Sequence, residues 1–225
     1  MRQAHEIIRS SKIYRQLLIM NHDLKAVYDR IAGDWNEEHK NDAWWTSGAE
    51  KFCSYLKAGD HVLDVGCAGG RKTDYLSKKG FVAMGIDFSD GMIAIAKKSF
   101  PNLPFFVKDI TMPLDLGGKF DGIFAQAVIL HVPKNETKGV LARLVSLLNP
   151  RGYIYIAVKG MVPGRQKEEM MIKENGYGYA YERFFSFYSH DELQKYFTDL
   201  GLSVVFSDRS TIGKTEWLQV IACKP

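Results

Sequence analysis

The sequence predicts an α/β fold with a doubly wound, mostly parallel seven-stranded sheet. Apolar runs typical of buried strands alternate with helical patterns between residues 61 and 158, and this alternation is typical of a parallel sheet with helices on both faces. A glycine-rich turn joins the first of these strands to the next helix. Two later apolar runs, 203–208 and 217–223, have no helix between them, so we expect them to pair antiparallel at one edge.

The N-terminal part, residues 1–57, is expected to be helical. Apolar residues recur at helical spacing in two stripes, 13–24 and 27–35, and a further helix is expected over 43–56. The core that follows, 58–159, and the C-terminal part, 184–225, complete one domain of 225 residues. In order, we expect strands at 61–65, 82–87, 104–108, 122–124 and 153–158, and helices at 71–79, 90–98, 135–148 and 190–200.

The segment 160–183 is expected to be a long loop on the substrate side. It leaves the carboxyl end of a central strand, and ligands of open α/β sheets bind outside those ends. Loops this long inside a domain are usually functional or disordered. We therefore expect it to roof a pocket together with the N-terminal helices, which would form a lid. A solvated connection without substrate contact is the alternative.

Composition limits the possible partners. The net charge of +4 is only mildly basic, and 46% of the residues are hydrophobic, enough for one large core. The three cysteines and six histidines show no spacing of a disulfide framework or a metal site, so no metal is expected. No apolar run approaches the length of a membrane span, and no signal peptide is visible. The sequence therefore predicts a cytoplasmic protein.

The glycine-rich turn predicts a nucleoside-containing cofactor. Backbone N–H groups and the positive end of a helix dipole converge at such a turn and favour a negatively charged ligand group. Asp87 ends the next strand, where a carboxylate can accept hydrogen bonds from ribose hydroxyl groups. Asp87 acting only as a cap of the following helix is the alternative.

Details of the turn distinguish between cofactors. A dinucleotide fingerprint needs glycine where this chain has Ala68, and a P-loop needs glycine where it has Arg71. Both phosphate-binding interpretations are therefore weakened. Asp64, two residues before Gly66, could orient the loop and a cationic amine, while loop amides face a carboxylate. An amino acid joined to an adenosine describes S-adenosylmethionine.

At these positions the chain resembles the class I S-adenosylmethionine-dependent methyltransferases, particularly those that act on small molecules. The resemblance extends from about Tyr28 to the C-terminus, and it implies the fold above with S-adenosylmethionine as cofactor. Ala68 departs from the glycine that many members have. The matching motifs are Asp64–Gly70, Gly85–Met92, Phe106–Ile110, Phe120–Gln126 and Leu148–Gly152.

The residues expected at the cofactor come from these motifs and from the N-terminal helices. Phe88 and Met92 would flank the adenine, Asp109 would accept from its amine, and Ile110 would offer an apolar wall. Gln126 would face the methionine part, and Cys67 would offer its amide. For each, a core or turn role is the alternative. The set is Tyr28, Trp44, Asp64, Gly66, Cys67, Ala68, Gly69, Asp87, Phe88, Met92, Asp109, Ile110 and Gln126.

The sequence leaves the catalytic step open. His131 is a candidate base for an acceptor hydroxyl or amine, and a packed histidine bound to backbone is an equal alternative. We expect methyl transfer to a small molecule. An RNA methyltransferase and a non-catalytic binding or regulatory protein are the rival functions, and oligomeric state is not indicated. The RNA alternative rests on the basic N-terminal residues Arg2, Arg9, Lys12, Arg15, Lys25 and Arg30.

Overall fold

The computed structural model describes residues 12–162 and 164–225, with side chains from residue 24 onward. The described part contains six α-helices, α1 (Lys12–Glu38), α2 (Thr46–Cys53), α3 (Arg71–Lys78), α4 (Asp90–Ser99), α5 (Lys134–Ser146) and α6 (His190–Asp199). Its strands are β1 (His61–Val65), β2 (Val82–Asp87), β3 (Phe105–Val107), β4 (Phe120–Gln126), β5 (Leu148–Lys159), β6 (Glu169–Glu174), β7 (Tyr181–Ser186), β8 (Ser203–Ile212) and β9 (Thr215–Cys223).

The main sheet has the predicted seven strands in the order β3-β2-β1-β4-β5-β9-β8. The pairs from β3 to β5 are parallel, whereas β9 runs antiparallel to both β5 and β8. Chain order reverses where β1 lies between β2 and β4, which is the switch point where ligands of such sheets bind. The predicted doubly wound, mostly parallel fold is confirmed.

The core lies on both faces of the central strands. Val62 and Leu63 of β1 and Ile123 of β4 are fully buried, as are Ile154 and Ile156 of β5. Adjacent residues of one strand point to opposite faces, so burial of consecutive residues means that both faces are covered. Within the described residues, no helix is long and apolar enough to cross a membrane.

The N-terminal region differs from the expected set of helices. The two apolar stripes belong to one continuous helix, α1, because no proline or capping signal separates them. The expected third helix is present but shorter, ending at Cys53. Residues 1–11 of the expected lid, and the side chains of the 13–20 stripe, lie outside the described residues.

The expected irregular loop over 160–183 is a second correction. Most of it forms a two-stranded antiparallel sheet, in which Glu174 pairs with Tyr181 and the pairing continues to Glu169 and Ser186. Exposure alternates along β6, as it does in a strand with one buried face. In the sequence this alternation is obscured, because Met171 lies on the exposed face and Glu174 on the partly buried one. The region therefore has defined structure of its own above the switch point.

Candidate functional site

A cavity opens at the carboxyl ends of β1, β2 and β4, with a volume of about 1210 Å³ including its mouth. Thirteen of the fourteen residues predicted from the sequence line it, although they come from distant parts of the chain. They are Tyr28, Trp44, Gly66, Cys67, Ala68, Gly69, Asp87, Phe88, Met92, Asp109, Ile110, Gln126 and His131.

Asp64 is the predicted residue that does not line the cavity. It is fully buried at the end of β1, where its Oδ2 accepts a hydrogen bond from Thr73 Oγ1 at 2.7 Å. Its Oδ1 is buried without a hydrogen-bond partner among the described residues. Burial disfavours the charged form and raises the pKa of Asp64 to about 6.

Two amide groups of the glycine-rich loop donate hydrogen bonds to the neighbouring strand β2. The N–H groups of Gly66 and Cys67 both donate to the Ile86 carbonyl, at 2.8 and 3.0 Å. The Cys67 N–H thus has a partner within the protein, and a contact of this amide with a ligand stays a prediction. Ala68 has a φ of +47°, in the left-handed region that favours glycine, which accounts for the glycine common there in related proteins.

Asp87 links this loop to the next helix. Its Oδ2 accepts from Ala68 N at 3.0 Å, and its Oδ1 accepts from Ser89 N at 2.9 Å. Ser89, not Asp87, is the N-cap of α4, since its hydroxyl accepts from Met92 N. Burial raises the pKa of Asp87 to about 6. A carboxylate that is costly to bury and is not the helix cap indicates a ligand-binding role.

Two further side chains at the carboxyl ends of strands, those of Asp109 and Gln126, have fixed orientations. Asp109 Oδ1 accepts from the backbone N and the hydroxyl of Thr111, at 2.8 and 2.7 Å. The Oε1 of Gln126 accepts from Tyr155 Oη at 2.7 Å, which leaves Gln126 Nε2 as a buried donor with no partner among the described residues. The Gln126 amide is thus a preset donor in the wall of the cavity.

His131 is held from both sides. Its Nδ1 lies 2.7 Å from the Phe184 carbonyl, which can only accept, so Nδ1 donates and Nε2 accepts from Tyr28 Oη at 2.8 Å. Burial, together with the positive charges of Arg183 and Lys159, lowers the pKa of His131 to about 3. The geometry matches the packed histidine bound to backbone, one of the two alternatives from the sequence.

Lys72 is a cavity residue that the sequence analysis missed. Its ammonium lies 5.7 Å from the centroid of the Trp45 ring, and burial lowers the pKa of Lys72 while the negative charge of Asp64 opposes this change. Its position in the first turn of the helix after the glycine loop was the available signal. Trp35 and Trp45, which are not in the predicted set, also line the cavity.

The helix α1 lines the cavity and is bound to the β6–β7 hairpin, whose residues are not among those that line it. Tyr177 Oη donates to Glu38 at 2.5 Å, and Tyr179 Oη donates to Asp34 at 2.7 Å. On its other side α1 is bound to the start of α4, because Asp29 Oδ1 accepts from Ser89 Oγ at 2.6 Å. The hairpin therefore supports α1 at the cavity, and its role as a roof stays a prediction.

Of the basic N-terminal residues on which the RNA alternative rests, the structure describes the side chains of Lys25 and Arg30. Lys25 is paired with Asp29 and Asp90, at 2.8 and 2.5 Å, and the Arg30 guanidinium lies 4.2 Å from the centroid of the Tyr179 ring. Both cations thus make contacts within the protein. Arg2 and Arg9, with the side chains of Lys12 and Arg15, lie outside the described residues.

Comparison with known proteins gives the family. The model of a methyltransferase domain matches residues 37–206. The chain belongs to this methyltransferase family. The match covers the glycine-rich loop, the ends of the strands around the cavity and the hairpin, and it confirms the resemblance to class I S-adenosylmethionine-dependent methyltransferases.

Individual relatives are more distant. A ubiquinone biosynthesis O-methyltransferase of Coxiella burnetii is 30% identical over 103 residues, covering 44% of this chain and 43% of that protein. Phosphoethanolamine N-methyltransferase 1 of Zea mays is 32% identical over 162 residues, covering 67% of this chain and 30% of that protein. The chain thus spans less than half the length of either relative.

Solved structures share the fold. The 1,6-didemethyltoxoflavin-N1-methyltransferase of Burkholderia thailandensis, with its substrate and S-adenosylhomocysteine bound, has a TM-score of 0.74 at 19% identity, covering 92% of this chain and 90% of that one. The magnesium protoporphyrin IX methyltransferase of Synechocystis, with S-adenosylmethionine bound, has a TM-score of 0.65 at 19% identity, covering 92% and 96%. At this identity the likeness concerns the fold.

Proposed function

We propose that this protein transfers a methyl group from S-adenosylmethionine to a small-molecule acceptor. The observation that carries the proposal is Asp87, a buried carboxylate of raised pKa in the wall of the switch-point cavity, beside the glycine-rich loop. Family membership supports the same reaction. Methylation of RNA, the enzymatic alternative, has no observation in its favour among the residues that the structure describes.

The adenosine part fits the residues around β2 and β3. Each oxygen of Asp87 accepts one backbone N–H and keeps a lone pair, so the carboxylate can accept from two ribose hydroxyls. Phe88 and Met92 would hold the adenine from an apolar side, and Ile110 would complete that wall. Asp109, oriented by Thr111, would accept from the adenine amine.

The amino-acid part fits the donors in the cavity wall. Gln126 Nε2 is a buried donor without a partner among the described residues, and a carboxylate needs donors. Lys72 would add its positive charge on the carboxylate side. A buried polar group left unpaired is costly, and this ligand would satisfy Gln126 Nε2. Asp64 is fully buried outside the cavity lining, so it would favour the ammonium by its negative charge and not by contact.

When bound, the cofactor supplies a methyl group on a positively charged sulfur, open to in-line displacement by an acceptor atom. The residues of the chain bind the cofactor and the acceptor, orient them and exclude water. Such alignment of two reactants can lower the barrier by about 7–11 kcal/mol. The Tyr28 ring lies across from His131 and Phe88, at 5.5 and 5.7 Å between centroids, and gives this wall an aromatic surface that favours a cation.

His131 would act here as a positioning residue. Its Nε2 lone pair is occupied by the Tyr28 hydroxyl, and with a pKa of about 3 the ring stays neutral at neutral pH. It would fix the Tyr28 hydroxyl in the wall of the cavity and would not take a proton from the acceptor. An acceptor atom that is already unprotonated, or that loses its proton to water, suits this site.

Calorimetry with S-adenosylhomocysteine, NAD and ATP tests cofactor choice. We expect S-adenosylhomocysteine to bind, and NAD and ATP to give no heat. Labelled S-adenosylmethionine should then transfer its methyl group to a component of a metabolite extract and not to tRNA. Micromolar binding of NAD without any response to S-adenosylhomocysteine would refute the proposal. If tRNA becomes labelled instead, the acceptor is RNA and not a small molecule.

The domain boundaries remain predictions, as do the lid function of residues 1–57 and the cytoplasmic location.

A further inference from the structure

A group of cationic side chains lies next to the cavity, beyond the residues assigned above. Lys159 ends β5, and its side chain is on the sheet face that carries Tyr155 and Ala157, because alternate residues share a face. Ala157 pairs with Gln126 of β4, and Lys159 pairs with Trp217 of β9. Lys159 therefore lies on the same face of the sheet as Gln126, two residues beyond the end of β4.

The Lys159 ammonium has an aromatic neighbour but no anionic one. Its Nζ lies 3.9 Å from the centroid of the Phe185 ring. Among the described residues, no carboxylate forms an ion pair with it and no hydrogen bond to it is present. Burial, with the charges of Arg183 and Arg165, lowers the pKa of Lys159 to about 8, and the negative charge of Glu174 opposes this change. Glu174 is itself paired with Arg183, so Lys159 has no carboxylate partner of its own among the described residues.

Arg165 is a second cation without an anionic partner. Its guanidinium lies 3.6 Å from the centroid of the Phe187 ring, and Nη1 contacts Met170 Sδ at 3.5 Å. Its Nε is buried with no hydrogen-bond partner among the described residues. Arg183, by contrast, is balanced, since its Nε and Nη2 bind both oxygens of Glu174 at 2.5 and 2.6 Å.

Lys159 is separated from the lining of the cavity by one aromatic residue. The Phe185 ring against Lys159 lies 4.8 Å from the ring of His131, which lines the cavity. Trp217, the strand partner of Lys159, lies 4.5 Å from the ring of Trp44, another lining residue. Arg165 belongs to the same group, because its charge contributes to the lowered pKa of Lys159. Cations partly removed from water without an ion-pair partner destabilise a fold, so this pair next to a binding cavity calls for an anion.

We propose that Lys159 and Arg165 form a subsite for an anionic group of the methyl acceptor, a carboxylate or a phosphate. The proposal rests on the proposed function, because it concerns the acceptor of that reaction. An anion there would give Lys159 the charged partner it lacks and would satisfy Arg165 Nε. It would also anchor the acceptor on the Gln126 face while its nucleophile points into the cavity. The subsite would select acidic acceptors over neutral ones of the same shape.

The test uses simple probes on the full chain loaded with S-adenosylhomocysteine. Benzoate, phenyl phosphate and neutral benzamide are titrated and followed by ligand-observed NMR. We expect benzoate or phenyl phosphate to bind at least about tenfold more tightly than benzamide, about 1.4 kcal/mol. Whichever of the two anions binds more tightly identifies the group as carboxylate or phosphate.

Variants separate this subsite from the cofactor site. Lys159→Met keeps the length and apolar stem of the side chain and should abolish the preference for the anion, and Arg165→Gln should weaken it. Lys159→Arg should retain it, which a proton-transfer role for the lysine would not allow. Lys195→Met is the matched control, because Lys195 is an exposed lysine paired with Asp199, and it should change nothing.

The two proposals fail in different ways. If the unaltered protein does not bind S-adenosylhomocysteine, the proposed function is refuted. Normal S-adenosylhomocysteine binding with equal affinity for benzoate, phenyl phosphate and benzamide, or with no binding of either anion, would overturn the subsite. An anion preference that persists in Lys159→Met, or that is lost in Lys159→Arg, would overturn it as well.

Discussion

Replacing Asp87 by asparagine should weaken cofactor binding without weakening the fold. The substitution keeps the shape of the side chain and removes its charge. In the cofactor complex, it would remove two charge-assisted hydrogen bonds to the ribose, each worth about 1.5–3 kcal/mol. Part of this remains, because the Asn oxygen still accepts one bond. We therefore expect the affinity for S-adenosylhomocysteine to fall at least about tenfold.

The effect on stability has the opposite sign. A rise in the pKa of Asp87 from 3.8 to about 6 means that its ionised form destabilises the ligand-free fold at pH 7 by about 3 kcal/mol. Asparagine removes this penalty. It also turns an N–H towards the backbone N–H of Ala68 or Ser89, leaving one donor unpaired at a cost of about 1–3 kcal/mol. The free energy of unfolding should stay the same or rise by up to about 2 kcal/mol.

Urea unfolding and calorimetry on the same variant measure both quantities. Asp121→Asn is the matched control, since Asp121 lies at the amino end of β4 and accepts from His61 N and Asn149 Nδ2 at 3.0 and 2.7 Å. Those bonds lower the pKa of Asp121, so this variant should lose stability at pH 7 and keep its affinity. An Asp87→Asn protein that unfolds much more easily, with unchanged affinity, would show that Asp87 serves the fold alone.

Two further predictions concern pH and the glycine-rich loop. Ribose hydroxyls bind an ionised carboxylate more strongly than a protonated one, so the affinity for S-adenosylhomocysteine should level off above about pH 7 and fall through pH 6 as Asp64 and Asp87 take up protons. Calorimetry from pH 5 to 8 measures this, and an affinity that is constant over the range would contradict the raised pKa values of about 6. Gly66→Ala should abolish cofactor binding, because φ is +68° and an added Cβ would lie 2.8 Å from Val128 side-chain atoms. Gly117→Ala is its control, with a φ of +72° and no atom within 4 Å, and it should cost about 1–2 kcal/mol of stability without changing affinity.

The fold and much of the site follow from local sequence patterns. The apolar run that ends at Val65 predicts a buried strand, and the glycine-rich turn after it predicts the start of a helix. Strand, turn and helix are thus specified within a short stretch of chain. Asp87 and Gln126 could be placed because they end strands, and the ends of parallel strands meet at one edge of the sheet. Motif spacing therefore predicts which distant residues meet at one cavity.

What the sequence left open depended on long-range contacts. The two interpretations of His131 differ only in its partners, Tyr28 and Phe184, which lie 103 and 53 residues away in the chain. The same holds for the Cys67 amide, whose acceptor is on the next strand.

The hairpin and the unmatched cations were also decided by tertiary structure. The alternation along β6 is weak because only one face is partly buried, and β6 is held in place by its pairing with β7. Lys159 is indistinguishable from a surface lysine until Phe185 and Arg183 are folded around it. Periodicity and spacing are properties of neighbouring residues, so the sequence by itself determines elements and their order. Burial and charge balance are sums over residues far apart in the chain, and only the folded chain sets them.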